Sequence, residues 1–322
     1  MHLIMTSLFT SSPVLFVGRR ALSLKLMSYP WILLLLVLCL LSPPVISVAG
    51  QEPQSPTPQS PTEAPPNPQV LVREVVQNGL RQARNDHIHW SYREIVRKDG
   101  RLETGEVCQT SSGTIDRLVA IDGQSLSVEQ QKIEDARIQA WLANVTEIRK
   151  ERQKQREDSA KQGRMFAIFP DAFRYQYDGT EGGLVKLTFE PNPQFLPGSR
   201  QEEVFHHLEG TMWIDPDQKQ LARIDGRLTS EVRFAGGLLG RLDKGGVFSV
   251  RFKEAVSGYW VITALDVEMN GKALLLKTIS VQEKREFDDY RLVPDNLTLQ
   301  QAAELLEKPA SSPRQSAANT PK

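Results

Sequence analysis

Five histidines are the first place to look for chemistry. His87 and His89 stand two apart in a segment with strand character and so point to one face, as strand-borne zinc sites begin. His206 and His207 are neighbours, so an extended chain there offers only one of them. Ser91 and Arg93 share the face of the first pair, and the Arg93 charge repels a cation. Solvated histidines are therefore the reading, and no metal is expected. Gly236-Gly237-Leu238-Leu239-Gly240 has the glycine density of a phosphate cradle but no Lys-Ser/Thr after it, and it joins two strands rather than a strand and a helix. Glycines that let a sheet bend are the expectation. No nucleophile elbow, P-loop, zinc-knuckle spacing or HExxH is present, and 39 acidic side chains single out no pair of carboxylates. The sequence predicts no enzyme and no cofactor.

What remains is apolar surface. Trp90, Tyr92, Trp213, Phe234, Leu238, Leu239, Phe248 and Trp260 are the candidate lining of a hydrophobic-ligand site, with core packing the competing role for each. The elements that must position them read mainly as strands. His87 to Arg97 alternates Trp90, Tyr92 and Val96 against His89, Ser91, Arg93 and Arg97. Glu106–Ser111, Ile115–Ile121 and Leu184–Glu190 read as further strands. From Leu221 to Phe234 the alternation is strict, which predicts one long antiparallel strand, dry at Ile224 and wet at Arg223. Asn270-Gly271 predicts a hairpin turn between two apolar runs, Trp260–Ile262 and Ala273–Leu276.

Helices are expected at both ends, Val70–Arg84 and Leu297–Leu306. One long charged helix is expected over 127–164, capped by Ser127 with Gln130 three residues on. Ile138, Trp141, Leu142, Val145 and Ile148 form its packing face. Residues 149–162 are solvated on every side, a projecting helix that can dock an envelope protein.

The chain has 322 residues and balanced charge, 39 basic against 39 acidic. That argues against a nucleic-acid binder working through a general basic field. Arg19, Arg20 and Lys25 precede an apolar run, Trp31–Leu41, that spans only about 16 Å as a helix. Ser47-Val48-Ala49-Gly50 follows with small residues, so 1–50 reads as a cleaved export signal and the protein as periplasmic or secreted, a retained N-terminal membrane anchor being the alternative. Residues 51–69 hold seven prolines, a Pro-rich linker; residues 309–322 read as a disordered tail. Removing the signal leaves Cys108 alone, a small buried residue with no disulfide partner.

The hairpin Glu209–Asp225, with Trp213-Ile214-Asp215-Pro216-Asp217 at its turn, resembles one in the LolA-type periplasmic lipoprotein-carrier superfamily. Phe195–Gly246 is similar to exported bacterial proteins of that type without assigned activity. The resemblance covers residues 70–308 and implies an α+β, mainly β fold: a curved antiparallel sheet, an incomplete barrel, with terminal helices against its hollow side. It also implies a lipid or lipoprotein acyl chain held in the hollow. The alternative function is a non-catalytic envelope interaction or sensor module.

Overall fold

Two-residue alternation builds one open antiparallel sheet. The computed structural model describes residues 67–85, 88–98, 100–234, 240–273 and 277–307. The signal segment, most of the linker, the tail, Gly236–Leu239 and Leu274–Leu276 lie outside them. The strands are β1 (His89–Lys98), β2 (Arg101–Thr110), β3 (Gly113–Ile121), β4 (Gln124–Ser125), β5 (Phe173–Glu181), β6 (Leu184–Pro191), β7 (Leu208–Asp215), β8 (Gln220–Leu228), β9 (Val232–Phe234), β10 (Gly240–Leu242), β11 (Val247–Val256), β12 (Tyr259–Ala273) and β13 (Lys277–Val293). Their order is β4-β3-β2-β1-β13-β12-β11-β8-β7-β6-β5, with the β9–β10 hairpin attached to β12. The two ends do not meet, so the barrel is incomplete, as expected.

Helix α1 (Pro68–Asn85) starts from Asn67, whose side chain accepts the Gln69 N–H at 2.9 Å, with proline in the first helical position. Its buried residues Leu71, Val72, Val75 and Val76 pack on the face of the sheet that carries Phe173, Leu187, Ile214, Ile224 and Val250. We call this the inner face. A second cluster lies on the opposite face, because Cys108 pairs with Ser91 while Val107 pairs with Tyr92. There α5 (Leu299–Glu307) buries Ala302, Ala303 and Leu306 against Cys108, Ile115 and Ile138. The C-terminal helix thus covers the outer side rather than the hollow.

The inserted helix is two helices, α2 (Val128–Ala143) and α3 (Val145–Ala167), broken at Asn144. The Ser127–Gln130 capping box forms as expected. Asn144 ends α2 and caps α3, its side chain accepting the Glu147 N–H at 3.0 Å. The chain turns sharply enough there for Trp141 Nε1 to donate to Glu151 at 2.9 Å, two residues that a continuous helix would separate by about 15 Å. Ile138 is buried as predicted, but Val145 beyond the break is exposed. Nor is 149–162 solvated throughout: Ser159 and Gln162 are buried. The α3 C-terminus continues into the one-turn helix α4 (Phe169–Ala172).

Three strand expectations also change. Leu221–Phe234 divides into β8 and β9: the Thr229 N–H still donates to the His207 carbonyl at 2.8 Å, in register with the Leu208–Leu228 pair, and β8 ends there, although the alternation of buried side chains persists across the break. Asn270-Gly271 lies inside β12, paired with Ser280 and Ile279 of β13. Gly271 is small because β10 crosses it, and a Cβ there would overlap the Arg241 carbonyl. His206 and His207 sit in a 3-10 turn, Glu202–His207, not on a strand. Among the described residues, no helix is long and apolar enough to cross a membrane.

Candidate ligand-binding face

The inner face of β1 and β13 carries an aromatic wall. Alternation along β1 brings Trp90 and Tyr92 to this side. On β13, Phe287 and Tyr290 are three apart and an unbroken strand would place them on opposite faces. The register slips between Ser91 and Arg93 of β1, opposite Asp289, whose φ is 55°. This bulge turns Tyr290 back to the side of Phe287. Tyr92 stacks on Tyr290 with ring centres 5.0 Å apart, Trp90 meets Tyr290 edge-on at 5.8 Å, and Phe287 meets Tyr92 at 6.0 Å. Tyr290 Oη donates to the Ile262 carbonyl at 2.7 Å. Burial raises the pKa of both phenols, and the nearby Glu94 carboxylate adds to the effect. Both stay neutral across the physiological range.

Along the same face the wall gives way to charge. Glu94 follows Tyr92 on β1 and accepts from Arg285 at 2.8 Å, while Glu283 accepts from the same guanidinium. Burial opposes the Arg285 charge, but the two carboxylates outweigh it and raise its pKa. The inner face therefore runs from aromatic rings to a paired cation.

Helix α3 connects α2 to α1. It leaves α2 beside β3 and ends against α1, a run of about 34 Å for its 23 residues. Gly79 of α1 accommodates the Phe166 ring, and Gly163 of α3 leaves room for Leu80, so the two helices approach closely. In contrast, α1 packs on β5 and β8, toward the other end of the sheet.

Of the predicted lining, Trp90 and Tyr92 come together on the wall. Phe234 and Phe248 are buried in the inner core. Trp260 is half-buried at a sheet end, its Nε1 donating to Gln218 at 2.8 Å while its carbonyl accepts from Gln82. Trp213 faces the opposite side, between Arg223 at 4.4 Å and Lys186 at 5.9 Å, with its Nε1 donating to Glu181. Leu238 and Leu239 lie outside the described residues. Sequence reasoning missed Phe287 and Tyr290; the Asp288-Asp289 pair between them is the one local sign of a bulge.

The outer face holds an open polar groove of about 760 Å³, crossed by Arg174, Thr188, Asp225, Arg227 and Asp266. Among the described residues no three His, Cys, Asp or Glu side chains gather closely enough to hold a metal ion. His87 lies outside those residues. His207 shares a hydrogen bond of 2.6 Å with Ser230 Oγ, and burial together with His206 lowers its pKa. Cys108 is buried, which pushes its thiol up to about 11, far from the reactive range.

No family model matches the chain, and no curated protein matches it. Among solved structures, the chain is similar to a DUF1329 family protein from Desulfovibrio piger, at 10% identity over 74% of this chain and 98% of that one, with a TM-score of 0.27. That likeness is too weak to carry any argument about the site.

Proposed function

We propose that this is an exported envelope protein that carries a hydrophobic ligand, a lipid or the acyl chains of a lipoprotein, against the inner face. The observation that carries the reading is the Tyr92–Tyr290 stack. Both rings are half-buried and stand on β1 and β13, whereas α1 packs on β5 and β8. Apolar rings away from the main packing of α1 are suited to an acyl chain, and burial of apolar surface at about 25 cal/mol per Å² gives such a chain several kcal/mol of retention. The short apolar run Trp31–Leu41 before small residues supports export, and the Glu209–Asp225 hairpin supports kinship with LolA-type carriers. Titration with a fluorescent fatty-acid probe tests it. Tyr92→Ala with Tyr290→Ala should weaken probe binding about tenfold, while Trp213→Ala, on the opposite face, should leave it unchanged. Equal affinity in all three proteins would contradict the reading.

The second reading, an interaction module, draws on one feature: every residue from Gln153 to Glu157, in the middle of α3, is exposed. Lys154→Glu with Arg156→Glu should then abolish capture of an envelope partner and leave probe binding intact.

A further inference from the structure

We propose that the protein pairs with a second copy of itself through the edge strand β5. The two edges of the sheet are treated differently. At one end, β4 covers part of β3, the Leu126 N–H donates to the Val119 carbonyl, and the Leu118 N–H donates to Glu134 Oε1 at 2.7 Å. Glu134 is itself held by Arg137 at 2.8–2.9 Å. That edge is closed to further strands. At the other end β5 has, among the described residues, a neighbour, β6, on one side only. Its first residue is clasped, since Gln69 donates to the Phe173 carbonyl at 3.3 Å. From Arg174 onward the outward-pointing side chains Arg174, Gln176 and Asp178 are exposed. The segment holds neither proline nor lysine, the usual guards of a bare edge. Its protection begins at the far end of this segment, where the register slips between Tyr177 and Thr180 and Gly179 takes φ 85°, just past Asp178.

A second copy fits this segment by charge. An antiparallel self-pairing has a two-fold axis and places some residue opposite itself. With Gln176 on the axis, Arg174 of each copy faces Asp178 of the other, and Tyr175 faces Tyr177. Two opposite-charge pairs then form directly across the new ladder. Asp178 already accepts Lys186 at 2.8 Å, so it meets the incoming Arg174 with its carboxylate in place. The pairing joins the two sheets edge to edge and leaves the inner faces and the Tyr92–Tyr290 wall uncovered.

Sedimentation equilibrium of the full-length protein up to about 100 μM tests this. A reversible dimer is expected. Arg174→Asp, which sets two acidic pairs across the axis, should weaken it about tenfold or more, and Arg174→Asp with Asp178→Arg should restore it. Far-UV circular dichroism confirms folding of each variant. A monomer at every concentration, a dimer indifferent to Arg174→Asp, or a folded double variant that stays monomeric would each overturn the proposal.

Discussion

Gly226 of β8 stands directly opposite Gly210 of β7, and the Phe189 and Phe248 rings close over the pair from the flanking strands. The four residues form one row across the sheet, where missing side chains let it bend and aromatic rings refill the space. A Cβ on Gly210 would overlap the Asp225 carbonyl, a backbone group; on Gly226 it would meet the Phe248 ring, which can shift. Gly210→Ala should therefore cost about 3 kcal/mol and Gly226→Ala about 1–2 kcal/mol in urea unfolding. Equal, small effects would show that the row is not tightly closed.

Ile224 and Arg223 are neighbours on β8 that face opposite ways. Ile224 is 6% exposed on the inner face. Arg223 binds Asp225 at 2.5 Å and lies over Trp213 on the other side. Ile224→Asp should cost about 3–4 kcal/mol through a buried, unpaired carboxylate. Arg223→Asp should cost about 1 kcal/mol, from the lost ring contact and the new repulsion with Asp225. Thermal melts of the two variants check the order.

That contrast was readable in the sequence, because strand alternation is a local property and β8 obeys it from Ala222 to Leu228. Features set by distant chain were not. Gly271 reads locally as a turn; its real constraint is the Arg241 carbonyl some thirty residues earlier. Tyr290 joins Phe287 only because the ladder with β1 slips at Asp289. Asn144 breaks a segment whose propensities favour one helix throughout, and the break is stabilised by contacts such as Trp141 with Glu151. The wall therefore emerges half from pattern, at Trp90 and Tyr92, and half from register.

Glu134 guards the closed edge. Its carboxylate takes the Leu118 N–H and two bonds from Arg137. Glu134→Ala should destabilise by about 2–4 kcal/mol, leaving an edge amide and a half-buried guanidinium short of partners. Hydrogen exchange at Leu118 should rise by more than the global loss explains. Unchanged exchange there would show that Glu134 does not hold the edge.

Cys108 supplies a pH test. Burial raises its pKa from 9.0 to about 11, so the folded state holds the thiol proton more tightly than the unfolded chain. This contribution to stability is complete below the unfolded value and is lost as pH rises from about 9 toward 11. Native protein at pH 8 should resist a thiol reagent that labels Cys108 rapidly in denaturant. Cys108→Ala should flatten part of the alkaline fall in stability. Rapid labelling of the folded protein would contradict the assigned burial.

Native mass spectrometry of protein purified from its producing cells, paired with organic extraction, tests ligand carriage most directly. A carrier should show added mass of a few hundred daltons or more, released by extraction as fatty-acyl material and reduced when Tyr92 and Tyr290 are both alanine. A clean apo mass, with no uptake of added lipid by the wild-type protein, would contradict carriage and leave the exposed middle of α3 as the surface on which function rests.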